Sequence, residues 1–290
     1  MREEGKKVSN VFPFFSPPVL RTSSGRLVLF RPDRNAERAA AGCARLQMAA
    51  LPSAVFMDGV VRTAIANSHW TPPHGQGALY LRPMVFGSGA SLGVAPSEWY
   101  HFVVYASPVG AYFKAEGGVA LEVSDTFHRA APKGVGNVKS ISNYAPAYQS
   151  QMLAKKRGFA DALFLDTTDT NVEEAGASNF FVVDKSGTVR TPNLGSILPG
   201  VTRDSVLTLA RDLGLKVKEG PLPIAEVMEA QEAWCTGTAA VITPVGSVTY
   251  KGKRKDFAAP SVSKRIHKLF DDILEGREKD KHNWIVDLYQ

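Results

Sequence analysis

The sequence predicts an α+β protein of two domains. Strand-like runs outnumber helical ones and do not alternate as strand–helix–strand, so a mostly antiparallel or mixed sheet is expected. A stretch rich in Pro and Gly, SPVGAYFKAEGG at 107–118, breaks the pattern and reads as a linker. The chain has 290 residues, 44% hydrophobic and 21% charged, which is enough to bury a sizeable core. The expected division is an atypical or poorly ordered N-terminus at 1–25, a small α/β domain at 26–106, the linker at 107–118, and a larger domain at 119–290.

In chain order, RLVLFRP (26–32) reads as a strand closed by proline. NAERAAAGCARLQM (35–48) reads as a helix rich in Ala and Arg, with Asn35 as a candidate N-cap. AVFMDGVVRTAIANSH reads as a second helix. GALYLRPMVF and EWYHFVVYAS are strands, separated by the turn-rich GSGASLGVAPS. After the linker, VALEVSDTFHRAAP reads as a strand. A helix over 143–157 follows, capped by Ser142 or Asn143 and stopped by Gly158. ADALFLD is a short buried strand, and ASNFFVVDKSGTVRTP is a hairpin turning at Lys185-Ser186-Gly187. VTRDSVLTLARDLG has Val206, Leu209, Ala210 and Leu213 on one helical face. EAWCTGTAAVITPVGSVTY gives two strands around a small-residue turn, and PSVSKRIHKLFDDILEG gives the last helix.

Several function classes recede. No apolar run approaches bilayer-spanning length. The two cysteines, Cys43 and Cys235, are far apart, so neither a metal site nor a disulfide framework is expected, and a reducing intracellular setting follows. The N-terminus mixes Glu with Lys and does not read as a signal peptide. A net charge of +6 is spread over a tail, a turn near 252–255 and a helix; with no binding motif beside it, a solvated surface is the reading rather than nucleic-acid binding.

The chemistry concentrates in the second half. In GVGNVKSISNYAPAYQ, Lys139 stands between glycines and a helix start, beside Val138 and Ile141. An exposed lysine is the ordinary reading, but one in apolar surroundings is paired or chemically used, as in Schiff-base chemistry. SILPGVTRDSVL places Val201 and Thr202 at a helix N-terminus, which binds anions through backbone N–H groups or is simply a cap. CTGTAAVITPV is a second small-residue turn with a hydroxyl at Thr238, either a tight turn or another anion contact. VEEAGASNFF holds paired glutamates, which fit a solvated turn or a carboxylate for a heterocyclic nitrogen. An amine, a carboxylate and two N–H-rich turns together match the needs of pyridoxal 5′-phosphate (PLP).

These motifs, in this order, resemble the branched-chain amino acid aminotransferases, the fold-type IV group of PLP enzymes. The matching stretches are VKSISNYAPAYQSQMLAKKRGFADALFLD, VEEAGASNFF, GSILPGVTRDSVLTLA, CTGTAAVITPVG, GALYLRPMVFGSGASLGV and SPVGAYF. The resemblance implies a small N-terminal α/β domain and a larger pseudo-barrel domain with helices. It implies Lys139 as the Schiff-base lysine and proton shuttle, Tyr144 on the cofactor's phenolic oxygen, and Glu174 on its ring nitrogen. Arg45, Val201, Thr202 and Thr238 would bind the phosphate. Ala239 and Ala240 would give backbone N–H groups to the substrate carboxylate, with Tyr80 and Arg82 on the substrate side. No metal is implied. The implied activity is branched-chain-amino-acid transamination: L-leucine, L-isoleucine or L-valine with 2-oxoglutarate, in a soluble intracellular homodimer of the cytoplasm, plastid or mitochondrion. The family's glycine- and aromatic-rich segment before residue 26 is not matched, so the small domain is expected to be truncated. Alternatives are a D-amino-acid aminotransferase, an aminodeoxychorismate lyase, or a non-catalytic truncated paralogue.

Overall fold

The computed structural model describes residues 17–88, 95–110, 118–238 and 241–289. The N-terminal part runs β1 (Pro18–Arg21), β2 (Leu27–Phe30), α1 (Pro32–Arg45), α2 (Ser53–Ala66), β3 (Ala78–Ser88) and β4 (Trp99–Val109). The C-terminal part runs β5 (Val119–Ser124), α3 (Ala145–Lys156), β6 (Asp161–Leu165), β7 (Val172–Ala175), β8 (Asn179–Val183), β9 (Val189–Thr191) and α4 (Val201–Asp212). It continues with β10 (Val217–Glu219), α5 (Ile224–Val227), β11 (Glu232–Gly237), β12 (Val241–Tyr250), β13 (Lys253–Asp256), α6 (Val262–Glu275) and β14 (Ile285–Asp287).

The N-terminal strands form an antiparallel sheet in the order β14-β2-β1-β3-β4. Alternation along β2 sends Leu27 and Leu29 to one face, where they meet Ala36, Ala39 and Cys43 of α1 and Phe56 and Val60 of α2. Val28 and Phe30 face the other way, into a cluster with Trp234, Ile266, Phe270 and Trp284. The same two-residue period therefore ties the small sheet to its own helices and to the rest of the protein.

In the C-terminal part, β8, β11, β12, β5, β6 and β7 lie side by side, and the β7–β8 pairing closes them into a six-stranded barrel. Two pairings, β12–β5 and β5–β6, are parallel and the others antiparallel, so the mixed sheet expected from the element order is present. The barrel interior holds Leu121, Leu163, Phe180, Val182, Ala233 and Cys235. The alternate residues face outward, Phe164 toward α3 and Phe181 and Trp234 toward α4 and α6. Being buried on both faces, these strands read as continuous apolar runs rather than alternating ones.

Several expectations change. Residues 18–21 are not part of an irregular N-terminus. They form β1, which is hydrogen-bonded to β2 and β3; residues 1–16 lie outside the described residues. The first helix starts at Pro32, whose fixed φ suits a first helical position, so Asn35 is inside the helix and not its cap. Its side chain donates back to the Arg31 carbonyl at 2.9 Å. The linker begins later than expected, because Ser107, Pro108 and Val109 pair with β3; residues 111–117 lie outside the described residues. The helix expected over 143–157 is α3, entered from Tyr144, with Asn143 and Ser142 in the 3₁₀ turn before it. β14 reaches the N-terminal sheet from the far end of the chain, a pairing that no local pattern announces.

Helix α6 is anchored by a carboxylate from the barrel. Glu232, 5% exposed, accepts the backbone N–H groups of Ser261, Val262 and Ser263 at 2.9–3.0 Å and the Ser263 hydroxyl. Glu232→Ala leaves those donors unpaired in a buried setting and is expected to lower unfolding stability by about 3 kcal/mol. Urea denaturation checks this, with Glu232→Gln, which keeps one acceptor oxygen, falling between the two.

Candidate active site

Lys139 sits in the loop between β5 and α3, not on a strand. The loop has little regular backbone pairing, and Asn143 supplies bonds in its place. Its Nδ2 donates to the carbonyls of Val135 and Val138, each at 2.7 Å. Gly136 lets the loop pass close to its neighbour, since a β-carbon there would run into the Ser196 carbonyl and Ala130. Val138 is buried, and the half-buried Lys139 donates from Nζ to Tyr144 Oη at 3.1 Å.

Glu174 faces the same cavity from β7. Its Oε1 pairs with Arg129 at 2.8 Å and accepts the Leu198 N–H at 3.3 Å, while Oε2 accepts Asn179 Nδ2 at 2.7 Å. Burial pushes this carboxyl up to about 7; Arg129, then the Leu198 N–H and Lys139, pull it down, and Glu173 pushes it up. The paired glutamates are thus a buried strand, not a solvated turn. Asn179 also donates to the Leu198 carbonyl at 2.9 Å, which ties Glu174 to the segment leading into α4.

That segment ends at Gly200, where a β-carbon would meet Asn179 Oδ1. Helix α4 then opens with Val201 and Thr202, and its first turn has no side-chain cap. Both residues line the cavity, as do Thr236 and Gly237 at the end of β11 and Thr238 just after it. Thr236 Oγ1 is buried without a partner.

Arg45 is not brought to this cavity. It is in the last turn of α1, exposed, and donates to the carbonyls of Lys133 and Gly134 at 3.3 Å. Arg38, two turns earlier on the same side of the helix, lines the cavity instead. Its guanidinium donates to Asn35 Oδ1 at 2.9 Å and to the Pro199 carbonyl at 3.4 Å, and its Nε is buried without a partner. Burial pushes Arg38 down to about 10, with Tyr144 and Tyr80 acting in the opposite direction, so it is cationic at neutral pH. The signal in the sequence was position: Arg38 falls between Asn35 and Gly42 on the buried stripe of α1, while Arg34 and Glu37 point to solvent.

A second cavity of about 450 Å³ meets the first at Val201, Thr202 and Thr238 and is lined by Tyr80, Phe30, Phe270 and Leu274. Arg82, two residues beyond Tyr80 on β3, does not line either cavity. Its guanidinium lies 5.4 Å from the Tyr80 ring centroid and 5.9 Å from that of Tyr105. Ala239 and Ala240 lie outside the described residues. Among the described residues no cluster of His, Cys, Asp and Glu could hold a metal, and no helix is long and apolar enough to cross a membrane.

The arrangement fits an anionic heterocycle bearing an aldehyde. A desolvated guanidinium with an orphan N–H, an uncapped helix N-terminus and two threonine hydroxyls form the anion end. An amine held by a phenol and a buried carboxylate line the same cavity.

Comparison with known proteins agrees. A family model, amino-transferase class IV, matches residues 19–248. A chloroplastic branched-chain-amino-acid aminotransferase of Arabidopsis thaliana is 45% identical over 274 residues, covering 92% of this chain and 70% of its own. A methionine aminotransferase of the same plant is 43% identical over 272 residues, covering 92% and 77%. The fold matches a branched-chain amino acid aminotransferase of Thermobaculum terrenum, solved in its PLP form, with a TM-score of 0.83 at 24% identity, covering 96% of this chain and 90% of that one. On this evidence the chain belongs to the class IV aminotransferases, within their branched-chain amino acid aminotransferase family.

Proposed function

We propose that this protein is a PLP-dependent transaminase that moves the amino group of L-leucine, L-isoleucine or L-valine to 2-oxoglutarate, giving the branched-chain 2-oxo acid and L-glutamate. The observation that carries this reading is the convergence of Lys139, Tyr144, Glu174, Arg38 and Thr202 on one cavity. When bound, PLP supplies a protonated pyridine ring that accepts the electron pair left at the substrate α-carbon and an aldehyde carbon that carries the amino group between the two half-reactions.

The residues divide the remaining work. Lys139 Nζ, oriented by Tyr144 Oη, anchors the cofactor and takes the proton from the substrate α-carbon. Glu174, as an anion, holds the proton on the ring nitrogen. Thr202 and the N–H groups of the first turn of α4 hold the phosphate, with Thr238 and Arg38 from the other sides. Tyr80 lines the apolar side that takes an aliphatic side chain; Arg82, which lines neither cavity, packs behind the Tyr80 ring and supports it from there. The working unit is a homodimer, as the family resemblance implies, and a plastid or mitochondrial setting is supported by relatives of both kinds.

A spectrum of the purified protein before and after L-leucine tests cofactor and substrate together. Loss of the PLP band on adding L-leucine, but not D-alanine, is the expected result; turnover of D-alanine alone would overturn it. L-methionine belongs in the same donor panel, because one relative is a methionine aminotransferase. The two arginines separate cleanly. Arg38→Gln is expected to weaken PLP binding by about 10-fold or more, and Arg45→Gln to leave it within about twofold. Fluorescence titration with PLP reads both, and equal losses would return the role to Arg45.

A further inference from the structure

Arg129 is 6% exposed and lies in the same loop as Lys139, ten residues before it. One nitrogen, Nη2, reaches two acceptors: Glu174 Oε1 at 2.8 Å and the Ser196 carbonyl at 2.7 Å. Its Nε is buried without a partner. Ser196 in turn donates its hydroxyl to Glu173, and its carbonyl is the atom that forces glycine at 136. The guanidinium therefore joins the Lys139 loop, the carboxylate strand β7 and the segment leading to α4.

We propose that Arg129 is a positioning residue of the active site: its ion pair favours the anionic form of Glu174 and fixes the direction in which that charge faces the cavity. Glu174 is a buried carboxylate beside a second one, Glu173, whose Oε2 is buried and unpartnered. Burial and a like charge both favour the protonated acid. Of the charged groups facing Glu174, Arg129 and Lys139 oppose that and Glu173 reinforces it. Lys139 is engaged with Tyr144, and Arg129 is the cation in direct contact. Without Arg129, Glu174 becomes a neutral acid at neutral pH, which cannot hold a proton on a ring nitrogen. What the anion is for rests on the proposed function; that Arg129 maintains it does not.

The test is done first on the full chain without cofactor, labelled with ¹³C at the glutamate carboxyl carbons, with Glu174 assigned through Glu174→Gln. In wild type the Glu174 signal is expected to titrate near 7, and in Arg129→Gln at least about one pH unit higher. Arg129→Lys, which keeps the charge but not the planar fork, should fall between. Melting temperature is followed alongside, and a fall in stability without a change in titration would overturn the inference. Should Arg129→Gln fail to fold, the wild type decides. The Arg129 side-chain ¹⁵N signals must move with the Glu174 midpoint, and signals that stay fixed overturn the inference. In the PLP-loaded enzyme, the acid limb of kcat should move upward by the same amount with KM for 2-oxoglutarate unchanged. Failure of wild type to bind PLP would remove the proposed function and leave the titration result standing.

Discussion

Lys139→Ala is expected to lower amino transfer by about 10³-fold or more while the protein remains folded. The side chain is half-buried in a loop, and its hydrogen bond goes to Tyr144, which stays in place. The loop itself is held by Asn143 through the carbonyls of Val135 and Val138, and by the buried Val138. None of these is lost with Lys139, so circular dichroism and melting temperature should stay near wild type. Turnover of L-leucine with 2-oxoglutarate gives the activity. Borohydride reduction followed by peptide mass spectrometry locates the residue that carries the cofactor. Activity within tenfold of wild type, or a label on another lysine, would refute the role given to Lys139.

What the sequence made legible follows from how local each signal is. Strands such as ADALFLD and NFFVV announce themselves because barrel strands are apolar on both faces, and the hairpin at Lys185-Ser186-Gly187 is a local turn. Lys139, Tyr144, Glu174, Thr202 and Thr238 stand in recognisable order, and the fold gathers them around one cavity. What was missed depends on long-range geometry. β14 joins β2 across most of the chain, and β1 is a short strand that exists only because β2 and β3 are there to pair with it. Arg38 was legible in part: it lies on the buried stripe of α1 with Asn35 and Gly42, while its meeting with the cavity depends on the distant Pro199 segment. Arg129 stood in a plain run, FHRAAPKG, with nothing local to mark it as the partner of a carboxylate 45 positions later.

Glu174→Gln is expected to lower kcat by about 10²-fold or more with PLP still bound. The amide keeps the shape of the carboxylate and its oxygen can still accept the Leu198 N–H; the acceptor of Asn179 Nδ2 is lost, but Asn179 keeps its bond to the Leu198 carbonyl. In wild type, burial pushes Glu174 up to about 7 against the pull of Arg129. Because only the anion can hold a proton on the ring nitrogen, wild-type kcat should show an acid limb, which the bound pyridinium moves below the value of the empty site, and the glutamine variant should lack the limb. Stability carries the opposite sign. The folded-state value lies above the ordinary 4.5, so the folded protein binds this proton more tightly than the unfolded chain does. The stability contributed by the group is greatest below about 4.5 and is lost as pH rises through about 7. Without cofactor, the unfolding free energy of Glu174→Gln relative to wild type should therefore shift in favour of the variant by up to about 3 kcal/mol across that window. Urea midpoints at a series of pH values measure it. A difference that does not vary with pH would mean that Glu174 titrates in the fold as it does in water, and the buried carboxylate would lose its place in the site.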